Sequence, residues 1–202
     1  MGPLEVLLTM TEEAGMDGAF GLQANWLQAD ILINTDSEEE GEIYMGCAGG
    51  IDFTSNLTLT REAVPAGFQS FKLTLKGLKG GHSGGEIHVG LGNANKLLAR
   101  FLAGHAQELD LRLVDFNGGT LRNAIPREAF ATVAVAADKV DALKALVATY
   151  QDILKNELAA KEKNLVLLLD SVVNDKAALT VQSRDGFVRL LNATPNGVIR
   201  KL

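Results

Sequence analysis

This 202-residue sequence has one cysteine, three histidines and no long apolar run, and each scarcity removes a class of explanation. A lone Cys47 forms no internal disulfide, which suits a reducing compartment. With no histidine near it in sequence, it reads as a small apolar residue rather than a nucleophile. No stretch approaches the roughly 20 apolar residues that span a bilayer. Met1 is not followed by the basic-then-apolar pattern of a secretory leader. The expectation is a cytoplasmic chain with no membrane role. Nucleic acid is set aside as a partner, because 19 Lys and Arg are scattered among 25 Asp and Glu, for a net charge of −6, and form no basic stripe. A hydrophobic share of 47% with 22% charged residues fits a globular chain of one or two domains.

The first informative feature is a pair of apolar runs that each deliver carboxylates. Leu4 to Thr9 is followed by Glu12 and Glu13, and Ile31 to Ile33 by Asp36, 23 residues after Glu13. Both runs have the unbroken apolar character of strands buried on two faces, with a helix expected between them at Phe20 to Leu27. Open α/β sheets bind ligands at strand ends, so Glu12 is a candidate general base and Glu13 and Asp36 are candidate metal ligands. In an extended segment consecutive side chains point in opposite directions, which would let Glu12 and Glu13 divide those roles. The competing reading is two acidic, solvated turns. Zinc usually takes histidine as well. The three available, His82, His88 and His105, all lie further along, so spacing alone completes no metal site. The acidic stretch Ser37 to Glu42 lacks the alternation and central glycine of a calcium loop and reads as a solvated turn.

From residue 51 the rhythm changes. Phe71, Leu73 and Leu75 alternate with Lys72, Thr74 and Lys76, as in a half-exposed antiparallel strand. Leu91, Leu97, Leu98, Phe101 and Leu102 recur at helical spacing, with Gly104 as the expected cap. Strands are expected at Leu109 to Asp115 and Ala129 to Ala136. A long helix follows, with its stripe at Val140, Leu143, Val147, Tyr150, Leu154 and Leu158. A strand at Leu165 to Leu169 and a helix at Arg184 to Leu191, capped by Ser183, complete the order. The pattern describes an α+β sandwich beginning near residue 51, after an α/β segment too small to form its own core. Both ends look cut, and residues 197–202 look like the approach to another strand.

Two glycine-lined stretches carry the remaining chemistry. Lys79 to Glu86 exposes His82 between a strand and a helix. It lacks the Gly-Lys-Ser/Thr ending of a phosphate loop and the spacing of the dinucleotide fingerprint. Either the glycines let the backbone approach a ligand while His82 donates to a developing oxyanion, or this is a tight turn with a surface histidine. His88 and His105 read as packing residues at helix ends. Asn123, in the run Phe116 to Pro126, is either a turn residue before proline or a holder of a substrate carbonyl or carboxylate.

The motifs Thr11 to Ala19, Asn34 to Gly41, Gly80 to His88 and Gly118 to Pro126 resemble, in order and spacing, the aminoacyl-histidine (Xaa-His) dipeptidases. These are carnosinase-like enzymes of the di-zinc metallopeptidase superfamily. The resemblance covers all but the last two residues. It implies part of a zinc-peptidase α/β catalytic domain at 1–50, followed by part of an α+β lid and dimerisation domain at 51–202. It also implies that this is an internal piece of a longer chain. By it, Glu12 matches the general base, Glu13 and Asp36 match one ligand for each of two zinc ions (other divalent metals could stand in their place), and His82 matches a lid histidine that stabilises the tetrahedral intermediate across a homodimer interface. Asn123 matches a lid residue near the dipeptide substrate. Ala124 stands where the family more often has valine. The family's upstream His-x-Asp ligands, bridging aspartate and C-terminal histidine ligand have no counterpart in these 202 residues, so an inactive piece of a zinc dipeptidase is expected. The alternative is a non-catalytic lid or dimerisation module.

Overall fold

The computed structural model describes residues 2–36 and 39–200, so the Ser37–Glu38 part of the acidic stretch and the last two residues of the expected C-terminal strand lie outside the described residues. The chain divides into two compact units between Ser55 and Asn56.

In the first unit the regular structure is one 3₁₀ turn at Glu12–Ala14 and one helical turn at Asp17–Phe20 among the described residues. The strands expected at Leu4 to Thr9 and Ile31 to Ile33 are absent, as is the helix at Phe20 to Leu27. The reason is cooperative: a strand is stabilised by its ladder, and no partner strand is present among the described residues of this unit. Ile31, Leu32 and Ile33 are about four-fifths exposed (80%, 80% and 79%), so their apolar character is unused here. Local polar contacts organise the backbone instead. The Glu5 carboxylate accepts the Gln28 and Ala29 N–H groups at 2.8 and 2.7 Å, and the Asp17 N–H donates to Thr11 Oγ1 at 3.1 Å.

The second unit is built on a four-stranded antiparallel sheet: β1 (Phe68–Lys76), β2 (Arg112–Gly118), β3 (Ala129–Ala136) and β4 (Val166–Ser171), in spatial order β2-β3-β1-β4. The alternation in β1 puts Phe71, Leu73 and Leu75 into the core and leaves Lys72 and Lys76 exposed. Register carries the same parity across the sheet: Leu73 faces Ala131 in β3 and Leu169 in β4. Three helices, α1 (Ala94–His105), α2 (Val140–Glu157) and α3 (Val181–Ala193), contribute Leu98, Phe101, Leu143, Leu154 and Val188 to the same apolar cluster. Burying each such side chain is worth about 1.5–3 kcal/mol. The fold is therefore an α+β layer of helices on a sheet, with its core between them.

Several boundaries differ from the sequence expectation for local reasons. The first helix starts after Leu91, at Ala94, because the Asn93 side chain accepts from the Lys96 N–H and caps it. Gly104 lies inside that helix rather than ending it. β2 begins at Arg112 rather than Leu109, since Asp110 adopts φ 46°, which breaks the extended run. Leu109 and Leu111 are buried all the same. The last helix begins at Val181 with Thr180 as its cap, while the Ser183 hydroxyl accepts the Thr60 N–H at 2.9 Å instead. β2 also has a bulge between Leu113 and Asp115. Arg61 meets the carbonyl of Val114 there at 2.8 Å and that of Ala177 at 2.8 Å.

Candidate functional site

Two of the motifs singled out in sequence meet in the second unit. Residues Gly81–His82 pair with Ala124–Ile125 as a short antiparallel ladder, and the Ser83 N–H donates to the Asn123 carbonyl at 2.8 Å. The turn entering this ladder needs Gly80, whose φ of +69° would be strained in any other residue and whose missing side chain makes room for Arg127 and the Ile125 carbonyl.

The loop then folds onto its own histidine. The His82 ring Nδ1 receives the N–H groups of Gly84 and Gly85, each at 3.1 Å. A nitrogen that accepts cannot carry the proton, so this neutral ring holds its hydrogen on Nε2. The side chain is exposed. Gly84 permits the approach, since a Cβ there would sit 3.1 Å from the ring Cε1. The backbone of His82 is tied down as well, its N–H donating to Glu86 Oε2 at 2.8 Å. The result is an oriented N–H donor of the kind that stabilises a developing oxyanion.

Beside this ladder lies an open cleft of about 420 Å³ lined by Ser83, Asn93, Asn95, Gly119, Thr120 and Arg122, among others. Asn95 donates through Nδ2 to the Gly118 carbonyl at 3.1 Å, and its buried Oδ1 has no hydrogen-bond partner among the described residues. Asn123 is half-buried, its neighbours Arg122 and Ala124 lining the cleft. His88 is exposed in a short 3₁₀ turn. His105 ends α1, 2.7 Å from Glu108 and with its ring centroid 5.0 Å from that of Phe101, which is a packing role. Asn95 and Glu86 were not singled out from sequence. The one available signal for Glu86 was its place four residues after His82.

The carboxylates of the first unit have a different setting. Glu12 and Glu13 share a 3₁₀ turn rather than an extended segment, so the opposed directions expected of them do not arise from a strand. Both are exposed, as is Asp36, whose N–H donates to Asn34 Oδ1 at 2.9 Å. Among the described residues no three His, Cys, Asp or Glu side chains gather as a metal ion would require. The residues present therefore do not by themselves fit a zinc centre.

Residues 73–162 match the peptidase dimerisation domain family. The chain is 89% identical over 199 residues to the cytosol non-specific dipeptidase of Escherichia coli strain K12, a match covering 98% of this chain and 41% of that protein. It is similar to the aminoacylhistidine dipeptidase of Vibrio alginolyticus, whose crystal structure matches at 57% identity and a TM-score of 0.78 over 95% of this chain and 39% of that one. The likeness to the aminoacyl-histidine dipeptidases thus runs along essentially the whole chain, and the chain spans about two-fifths (41%) of the curated relative's length. No helix among the described residues is long and apolar enough to cross a membrane.

Proposed function

We propose that this chain belongs to a cytoplasmic, homodimeric, zinc-dependent dipeptidase that hydrolyses dipeptides, Xaa-His among them, and that residues 1–50 are part of its catalytic domain and 51–202 part of its lid. The observation that carries the reading is the His82 loop: an imidazole whose Nδ1 is occupied by two backbone donors presents Nε2–H outward beside a polar cleft. The 89% identity to a dipeptidase supports the same activity.

In this reading Glu12 takes a proton from the attacking water and returns it to the leaving amine. His82 donates through Nε2–H to the oxyanion that forms on the scissile carbonyl, and Asn123 holds the substrate beside it. Glu13 and Asp36 would each offer one carboxylate to a metal pair, whose remaining ligands would come from outside these 202 residues. Bound zinc would polarise the carbonyl and acidify the water. The 202-residue chain alone is then inactive.

A division of labour between subunits provides the test. In the full-length protein, His82→Ala should lower kcat more than it raises KM, because an oxyanion donor acts in the transition state. Mixed dimers of His82→Ala and Glu12→Gln subunits should regain one working site. A mixture no more active than either variant alone would count against donation across the interface. A full-length protein that binds no zinc would favour the second reading, a lid or dimerisation module without catalysis, for which the dimerisation-domain match at 73–162 is the supporting observation.

A further inference from the structure

The loop that carries His82 is held at both ends by a single side chain. Glu162 is buried, at 2% exposure, in the turn that follows α2. Its Oε2 accepts the Lys79 N–H at 2.8 Å and its Oε1 accepts the Gly92 N–H at 2.8 Å. Lys79 and Gly92 bracket the stretch containing His82, the Gly84 and Gly85 donors to its ring, and Glu86. The turn is itself anchored, since the Leu158 carbonyl accepts from both Lys161 N–H at 2.9 Å and Glu162 N–H at 2.8 Å. The neighbouring Lys161 ammonium donates to the Val89 carbonyl within the same loop.

A carboxylate is rarely buried unless its lone pairs are filled, and an aliphatic side chain would occupy the same volume without the desolvation cost. Here the two oxygens close a loop of more than ten residues at its base through charge-assisted bonds to backbone. We infer that Glu162 is a positioning residue for His82: by pinning Lys79 and Gly92 it fixes the loop in which Gly84 and Gly85 meet the ring, and so aims Nε2–H. Glu162 acts through the loop and not on substrate. The inference rests on the proposed oxyanion role of His82 and deepens it.

The test pairs activity with a direct view of the loop. In the full-length protein, Glu162→Gln keeps shape and one acceptor but turns an NH₂ toward a backbone N–H. Its kcat should fall about 10-fold with KM changed less than about 2-fold, the split expected when only transition-state contacts are lost. Glu162→Ala leaves both backbone donors without their acceptor and should approach the loss of His82→Ala, about 100-fold, as for a catalytic group displaced by an ångström. The double variant Glu162→Ala/His82→Ala should lose nothing further, whereas a residue serving only general stability would add its own effect. In parallel, ¹⁵N spectra of the His82 ring and amide exchange at Gly84 and Gly85 should show Nδ1 losing its two donors in the Glu162 variants.

Unchanged ring and amide signals in both Glu162 variants would overturn the inference whatever happens to activity. Altered signals with unchanged kcat would uphold the positioning of the ring and instead remove His82 from the mechanism. If Glu162→Ala does not fold, Glu162→Gln carries the same comparison.

Discussion

The two units of this chain are both rich in aliphatic residues, yet they use them in opposite ways. In residues 56–200 the apolar positions of four strands and three helices converge on one cluster, with Leu73, Leu113, Val133 and Leu143 all at 0% exposure. In the described residues up to 55, Val6, Leu8 and Ile31 stand 80%, 88% and 80% exposed. Hydrophobic residues stabilise only where the same stretch of chain supplies something to bury them against. Each strand of the second unit finds an antiparallel neighbour within the unit, whereas parallel-type runs such as Leu4 to Thr9 need partners brought by long crossovers.

The largest expected effect concerns the first unit. In the full-length protein Glu12→Gln should lower turnover by about 10² to 10⁴ with metal content retained, the usual worth of a general base. Near-normal turnover would leave Glu12 as no more than an exposed turn residue. Truncation tests the contrast in burial directly. Phe101→Ala should destabilise the second unit by about 3–5 kcal/mol, while Leu8→Ala in this chain should stay within about 0.5 kcal/mol. Thermal or denaturant melting of both variants checks this, and a comparable loss from Leu8→Ala would show that the first unit has a core of its own. Amide exchange sharpens the same point: β1 and β3 should exchange far more slowly than residues 4–9 and 31–33.

A smaller effect is expected at the β2 bulge. Arg61 supplies the donor for the Val114 carbonyl, so Arg61→Ala should cost about 1–2 kcal/mol in melting experiments by leaving that acceptor unmet. One nitrogen, Nη1, makes both contacts, so Arg61→Lys should recover part of the loss if its ammonium reaches the same two carbonyls.

The smallest effect concerns pH. Burial pushes the Tyr150 phenol above its ordinary value of 10.0, with the adjacent Arg100 opposing the shift. Its O–H donates to the Leu97 carbonyl at 2.8 Å, tying α2 to α1. A folded-state value above the unfolded one means the stabilisation is complete below pH of about 10 and is lost as pH rises through the folded value. Tyr150→Phe should therefore be less stable at neutral pH and show a flatter decline in alkaline solution.

Where sequence pattern succeeded, one period had one reading. Ala129 to Ala136 matches the observed strand to the residue, with Ala129, Ala131, Val133 and Val135 buried on one face. The stripe from Val140 to Leu154 specified both the helix and its buried face. Pattern failed at Leu4 to Thr9, where composition shows that a run is apolar but not whether a partner strand exists, and at Ser183, where Thr180 three residues earlier takes the cap. The site was legible in part. His82 and Asn123 stood out by their glycine-rich surroundings, but Glu162 sits 80 residues from His82 in a turn of unremarkable composition.

By itself, then, the sequence determined the periodicities of the second unit and the residue types fitted to acid–base and oxyanion chemistry, because these follow from local spacing and side-chain chemistry. Only the tertiary structure decided that Gly80 to His88 and Gly118 to Pro126 lie side by side, which nitrogen of His82 carries the proton, and that one buried carboxylate closes the loop around it. Those outcomes depend on hydrogen bonds between residues far apart in the chain, and their geometry exists only once the sheet and helices have set the distances.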